Sequence, residues 1–302
     1  SHHPGRIIAI LVDLQSEVSE FHARISAYYH DLQAGQKQIV AEVIVLETGR
    51  MGADHLSGAA LPLLLPDLPV FFWCTVALTL IHSQVKTLLR YSDRLILNSA
   101  EDDYSTRELC KSLDAILQWR RQCHVSDLNW SRLTMWREAI AQLFDKVQYN
   151  RFLSLLYEIE ISYSDDQLSS QVLLLAGWLS SRLHNVSALP RGSDDTTVFF
   201  GHRSKQTAIK IRRKKMQQVD GIYKVKLIAE ENEKAVIFTV TARQNGGLES
   251  VIQIGSTFYP ATFMHSLPMS EAQCLCNELD FMEQDEVYLQ ACQNVIEYLH
   301  EN

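Results

Sequence analysis

Ser126-Asp127-Leu128-Asn129-Trp130-Ser131-Arg132-Leu133-Thr134-Met135-Trp136-Arg137-Glu138, near the middle of a 302-residue chain, decides how the rest is read. It puts two tryptophans, two arginines and an acid into a short run that opens an amphipathic helix. At about 100° per residue, Leu133, Trp136, Ile140, Phe144 and Val147 share one face, with Glu138, Gln142 and Asp145 opposite. That is a core-facing helix with a polar back. Arg137 falls on the edge of the apolar face, where a guanidinium needs a partner. Arg132 and Arg137 are therefore expected to hold Asp127 or another nearby carboxylate in a charge-assisted pair.

Toward the N-terminus, Ile7 to Val12 is an unbroken apolar run, the pattern of a strand buried on both faces. Val18, Phe21, Ile25, Tyr28 and Leu32 recur at helical spacing, and Ile39 to Leu46 is a second β-branched run. After a loop with Gly49 and Gly52, the pattern predicts a short helix over 54–65, a strand over 70–74, a helix over 78–89, a strand over 94–98 and a long helix over 107–123. Such alternation predicts a mostly parallel sheet with helices on both faces. Beyond the central helix, Phe152 to Ser164 alternates, with Tyr157, Ile159, Ile161 and Tyr163 on one face and Glu158, Glu160 and Ser162 on the other. A strand with one solvated face belongs toward a sheet edge. Gln171 to Leu183 closes this part as an apolar helix.

Residues 185–197 are rich in Ser, Pro, Gly and Asp, the composition of a linker or mobile loop. Strand patterns then follow one another without helices, over 207–213, 222–230, 235–243 and 248–255, with Asn245-Gly246 as a hairpin signal. Helices are expected at 270–282 and 286–298. The fold class is α/β: a mostly parallel, Rossmann-like sheet domain over 1–184, without cofactor motifs, then a smaller antiparallel β domain with terminal helices over 198–302.

Composition excludes several function classes. The hydrophobic fraction is 46% and the formal net charge is −8, against a general nucleic-acid binder, which carries a basic excess. Leu61 to Leu80 is broken by Pro62, Pro66, Asp67 and Pro69, so it is no membrane span. The chain shows no cleavable signal segment, and the absence of an initiator methionine suggests that its start is a cut. Six cysteines without a CxxC pair suit a reduced, cytoplasmic protein.

No chemistry-bearing constellation stands out. The first strand is followed by Asp13-Leu14-Gln15-Ser16 rather than a Gly-rich turn, and an acid there repels phosphate, so no cofactor is expected. There is no HExxH and no GxSxG. Glu158 and Glu160 could pair as acid and base, but on a solvated strand they serve as solubilising charges. Lys205, Lys210, Arg212, Arg213, Lys214 and Lys215 concentrate positive charge. Lys210, Arg212 and Lys214 fall on one strand face by period two, either guarding an edge strand or docking an acidic partner.

The central stretch resembles the signature of the glucose-6-phosphate dehydrogenase assembly proteins, the OpcA family of cyanobacteria and actinobacteria. The matching residues are Asp127, Leu128, Asn129, Trp130, Arg132, Leu133, Thr134, Trp136 and Arg137. Four more segments are similar, in the family's order: His3-Pro4-Gly5-Arg6 leading into Ile7-Ile8-Ala9-Ile10, Pro66 to Trp73, Leu173 to Leu183, and Leu279 to Ala291. Met135 departs from an expected helix-starting proline and Gly5 from a frequent cysteine. The resemblance implies a non-catalytic protein that binds glucose-6-phosphate dehydrogenase and promotes its assembly and activity in the oxidative pentose phosphate pathway. It also implies redox control through thioredoxin, for which Cys276 with Cys292 or Cys274 is the pairing to examine. The alternative from the fold class is an α/β enzyme of sugar phosphates or nucleotides with an atypical phosphate loop. The loop after Val12 discriminates the two.

Overall fold

The structure, a computed structural model, describes residues 5–31, 37–75, 83–102, 106–183, 197–200, 207–215, 221–244, 246–265, 269–281 and 283–301. The chain packs as two compact units, Ser1–Phe72 with Leu80–Leu95 and Trp73–Thr79 with Ile96–Asn302. Of the linker expected over 185–197, only Thr197 lies within the described residues.

In order, the elements are β1 (Gly5–Asp13), β2 (His22–Asp31), β3 (Lys37–Gly49), α1 (Leu56–Ala60), β4 (Phe71–Trp73), α2 (Ser83–Leu89), β5 (Arg94–Leu97), α3 (Thr106–Trp119), β6 (His124–Asp127), α4 (Leu128–Arg132), α5 (Thr134–Gln142), α6 (Val147–Asn150), β7 (Leu156–Tyr163) and α7 (Ser170–Arg182). They continue with β8 (Thr197–Phe200), β9 (Ala208–Arg213), β10 (Ile222–Glu231), β11 (Lys234–Ala242), β12 (Leu248–Ile254), β13 (Thr257–Phe258), β14 (Thr262–Met264), α8 (Glu271–Asp280) and α9 (Glu286–Glu301). Among the described residues the strands form three sheets, in the orders β1-β3-β2, β4-β5-β6 and β13-β12-β11-β10-β7-β9-β8, with β14 also on β12.

In the first unit β1 runs parallel to β3, with Ile8 opposite Ile44 and Ile10 opposite Leu46. Ile44 and Leu46 are buried with Ala60 and Leu88, and Ile8, Ile10 and Phe72 pack around them. The apolar run over 7–12 is a strand, as expected, but not one buried on both faces: Ile8 and Ile10 pack on the core while Ile7 and Leu11, on the other face, are 55% and 52% exposed. Where a helix is expected from Val18 to Leu32, residues 18–21 are irregular, His22–Asp31 form strand β2, antiparallel to β3 and pairing His22 with Glu47 through Tyr28 with Ala41, and Leu32 lies outside the described residues. The segment carries both periods: Ala23, Ile25 and Ala27 alternate with Arg24, Ser26 and Tyr28. A long neighbouring strand with a free edge selected the period of two. The sheet is accordingly mixed, not mostly parallel.

In the second unit β7 is interior, not at an edge. It runs antiparallel to β10 and parallel to β9, and Ile159 and Ile161 are fully buried. Residues on both sides of 185–197 thus share one sheet. The strands predicted over 207–255 appear as β9 to β12, with β10 to β12 forming an antiparallel meander. Asn232 and Glu233 both take left-handed conformations, φ 50 and 62°, between β10 and β11, the geometry of a tight hairpin. Asn245 of the expected hairpin lies outside the described residues, but Gly246 and Gly247 have φ of 81 and 84°. Phe238 on β11 anchors an aromatic cluster, with ring centroids 4.7 Å from Phe144, 5.9 Å from Phe152 and 6.2 Å from Tyr149.

Helix α7 packs on α9, and α9 also on α3, while α4 packs on α8. A Cβ on Gly177 of α7 would lie 2.4 Å from the Ala291 carbonyl oxygen and 2.8 Å from a Val295 methyl. That spacing leaves room for hydrogen alone. Gly177→Ala should therefore lower stability by about 1–3 kcal/mol by driving α7 and α9 apart, despite alanine's better helix propensity. A rise in the thermal midpoint of this variant would contradict the close packing.

Candidate functional site

The central motif is not one helix. Strand β6 ends at Asp127, α4 follows, and the chain turns at Leu133 before α5. Leu133, Trp136, Ile140 and Phe144 are buried as the helical spacing requires, whereas Val147 is 89% exposed. Helix α5 stops at Gln142 and α6 starts afresh at Val147, so the apolar arc does not extend that far. Met135 falls in the first turn of α5, where a proline would also fit.

Asp127, 1% exposed, is the hub. Its Oδ1 accepts from the backbone N–H of Ser99 at 3.0 Å and of Asn129 at 2.9 Å, so it caps α4, and its Oδ2 accepts from the Tyr288 hydroxyl at 3.1 Å. Asn129 extends the network, its Nδ2 donating to the hydroxyls of Ser99 at 3.1 Å and Ser170 at 2.8 Å. A short-range sequence feature thereby joins the 3₁₀ turn at Ser99–Asp102, α4, α7 and α9. Burial pushes the Asp127 carboxyl above its ordinary range, against the lowering effect of its hydrogen bonds from Ser99, Asn129 and Tyr288.

Trp130, also buried, donates from Nε1 to Asp285 Oδ2 at 2.7 Å and lies 5.5 Å, centroid to centroid, from the Tyr288 ring. Asp285 Oδ1 in turn accepts from the Tyr288 backbone N–H at 2.9 Å, capping α9. One carboxylate fixes both the indole and the start of the last helix. The Arg137 guanidinium lies 3.8 Å over the Trp130 ring, and its Nη2 donates to Thr134 Oγ1 at 2.9 Å. Burial pulls the Arg137 pKa down, while the nearby charges of Asp285, Glu138 and Glu278 push it up. Arg132 Nη1 donates to Asn98 Oδ1 at 2.9 Å, and Ser131 bonds Glu278 of α8.

Of the two alternatives expected for the arginines, Asp127 is thus corrected, whereas other carboxylates, Asp285, Glu138 and Glu278, do act on Arg137 through their charge. Neutral donors satisfy Asp127, Arg132 reaches an amide, and Arg137 is held by a ring face. A charged pair around a fully buried aspartate would have required two long side chains to be desolvated, whereas backbone N–H groups are already in place. Trp136 is a core residue, as its spacing indicates.

The basic strand differs from the aligned free row that period two suggests. Lys210 and Arg212 do share a face, opposite buried Ile209 and Ile211. Strand β9 lies between β7 and β8, however, so Lys210 pairs with Glu158 and Arg212 Nε lies 3.4 Å from Glu160 of β7. The carboxylates read as solubilising and the cations read as a docking row partly neutralise each other. Lys214, beyond the strand, is exposed.

None of the six cysteines is in a disulfide. Cys276 is exposed, while Cys274 and Cys292 are buried and burial raises both thiols, Cys292 strongly. Raised thiols are poor thiolate nucleophiles. Asp285, Tyr288, Glu278, Ser99 and Ser170 complete the motif's network without having been singled out in the sequence. Asp285 and Ser170 had a local signal, each standing just ahead of an expected helix start.

A cavity beside α5, lined by Ala139, Gln142, Leu143, Tyr149, Ile252 and Thr262 among others, has a volume of about 70 Å³. Sites for small organic ligands are about 300–1,000 Å³.

Residues 1–114 match the family described as the glucose-6-phosphate dehydrogenase subunit N-terminal domain, and residues 123–292 match its C-terminal domain. Among curated relatives, the chain is 26% identical over 182 residues to a Synechocystis protein named OxPP cycle protein OpcA, covering 60% of this chain and 37% of that one. A protein of the same name from Nostoc punctiforme is 28% identical over 182 residues, with 60% and 38% covered. The chain therefore spans about two fifths of the length of these relatives. Among solved structures, a mutant of KijD10, a 3-ketoreductase from Actinomadura kijaniata, aligns over 99% of this chain and 96% of its own with a TM-score of 0.51 at 8% identity. That likeness is one of fold alone. With both of its domains matched along the sequence, the chain belongs to the OpcA family of glucose-6-phosphate dehydrogenase subunits.

Proposed function

We propose that this protein is a non-catalytic partner that binds glucose-6-phosphate dehydrogenase and promotes its assembly and activation in the oxidative pentose phosphate pathway, in the cytoplasm. The observation that carries the reading is the match of both family domains, over 1–114 and 123–292. Support for binding over catalysis comes from the exit of β1. A dinucleotide site places phosphate at the N-terminus of the helix that follows its first strand. Here β1 is followed by a turn and then by strand β2, so that exit has no helix dipole to offer. Asp13 Oδ1 also accepts from the Gln15 N–H at 2.9 Å, taking a donor that a phosphate would need. The same exit argues against the second reading, an enzyme of sugar phosphates or nucleotides.

The signature motif supports this reading in a structural way. Its tryptophans, Asp127 and Asn129 are directed inward; Asp127, Asn129 and Trp130 tie α4 to α7 and to the start of α9, and Ser131 ties it to α8. The motif is a fastening of the second unit, and the partner is met by surfaces that this fastening keeps rigid. Isolated protein should show no glucose-6-phosphate oxidation and no saturable binding of NADP or NAD in calorimetric titration. Binding of either cofactor at micromolar affinity would overturn the non-catalytic reading in favour of the enzyme.

A further inference from the structure

Away from the motif, three side chains of the second unit converge. Cys110 and Asp114 are one turn apart on α3 and so share a face. His300 meets them from the last turn of α9. Cys110 Sγ is 3.6 Å from His300 Nε2 and 4.0 Å from Asp114 Oδ2, and His300 Nε2 is 3.7 Å from Asp114 Oδ2. Cys110 and Asp114 are half-buried and His300 is exposed, so solvent and ions have access.

Two kinds of chemistry use cysteine, histidine and aspartate together. In a nucleophilic triad the acid binds one imidazole nitrogen and the thiol faces the other. Here the sulfur and the carboxylate both approach Nε2, so the acid cannot orient the ring for the thiol. Instead all three donor atoms surround one point. Bond lengths of about 2.0–2.3 Å to a tetrahedral zinc ion require donor atoms about 3.3–3.6 Å apart. The sulfur–nitrogen separation of 3.6 Å matches those edges, and the two separations to Asp114 Oδ2, 4.0 and 3.7 Å, exceed them by about half an ångström or less.

We propose that Cys110, Asp114 and His300 form a binding site for a divalent transition-metal ion of the zinc type, tying the end of α9 to α3, with water at the fourth position. The donor set is one soft thiolate, one imidazole and one carboxylate, which suits zinc or cobalt rather than magnesium or calcium. Burial and the Asp114 charge hold the Cys110 thiol up in the metal-free protein. Binding therefore forms the metal–sulfur bond as the Sγ–H proton leaves to solvent. The site is independent of the dehydrogenase reading, since it rests on α3 and α9 alone.

The test is titration of the full chain with Co²⁺ and with Zn²⁺. The expected result is saturable binding of one ion, with the near-ultraviolet sulfur-to-cobalt charge-transfer band of a thiolate ligand and displacement of Co²⁺ by Zn²⁺. Cys110→Ser should abolish that band, and His300→Ala and Asp114→Asn should each weaken binding at least about 100-fold, more than the 10–100-fold that loss of a supporting residue costs. Thermal unfolding gives a second readout, because zinc should raise the midpoint of the wild type and leave that of Cys110→Ser unchanged. Absence of a thiolate band at saturating Co²⁺, or equal binding by wild type and Cys110→Ser, would overturn the proposal.

Discussion

Trp130→Ala should destabilise the second unit by about 3–5 kcal/mol, the range for removing a large buried aromatic. The indole carries three contacts at once: its Nε1 bond to Asp285, its packing on Tyr288, and the face under the Arg137 guanidinium. Removing it leaves Arg137 half-buried without the ring that covers it. Trp130→Phe separates these effects, keeping most of the ring while losing a hydrogen bond to a charged acceptor, worth about 1.5–3 kcal/mol. Asp285 still caps α9 in that variant, so the phenylalanine protein should retain the fold. Because the chain has two units, a single unfolding midpoint mixes them. Hydrogen exchange on α4 and α9 reads the second unit directly. Equal protection in wild type and Trp130→Ala would mean that the motif does not fasten α9.

Asp127→Ala should come next in severity. It leaves the Ser99 N–H, the Asn129 N–H and the Tyr288 hydroxyl without their acceptor, and each unsatisfied buried group costs about 1–3 kcal/mol. A loss of about 3 kcal/mol or more follows. Asp127→Asn should lose far less, since an amide oxygen can accept the two N–H groups and its Nδ2 can donate to the tyrosine oxygen. The two proteins also differ with pH. Burial holds the Asp127 carboxyl above its ordinary range, so folding favours the protonated acid. Its contribution is present in full below the ordinary aspartate range and is lost as pH rises through the folded value. Asp127→Asn, uncharged throughout, should therefore gain in stability relative to wild type as pH rises across that window. Urea unfolding at a series of pH values checks this, and a widening gap in favour of wild type would show the ionised carboxylate to be the favoured form.

What the sequence made legible was local. The run over 7–12 is apolar at every position, so β1 needed no partner to be identified. The face Leu133, Trp136, Ile140 and Phe144 is buried because a 3.6-residue period leaves no other inward arrangement. What stayed hidden depended on partners far along the chain. Val18 to Leu32 carries two periods, and only the free edge of β3 decides between them. Glu158 and Glu160 look like charges on a solvated edge until β9, some fifty residues later, places Lys210 and Arg212 beside them. The same holds within the site. Asp127 and Trp130 announce themselves by composition, but their chief partners, Tyr288 and Asp285, lie more than 150 residues away. Nothing local marks an aspartate as a cap that also receives an indole.

The inward direction of the motif has a consequence for the proposed role. If its residues fasten the second unit, variants that keep the fold, such as Trp130→Phe, should keep partner binding, while variants that loosen α9 should lose it together with exchange protection.

The most direct test is to mix the purified chain with glucose-6-phosphate dehydrogenase from the same source, separate the mixture by size, and assay each fraction. The account predicts a shared peak larger than either protein alone and a dehydrogenase rate above that of the enzyme without its partner. Separate elution at micromolar concentrations, with an unchanged rate, would contradict it.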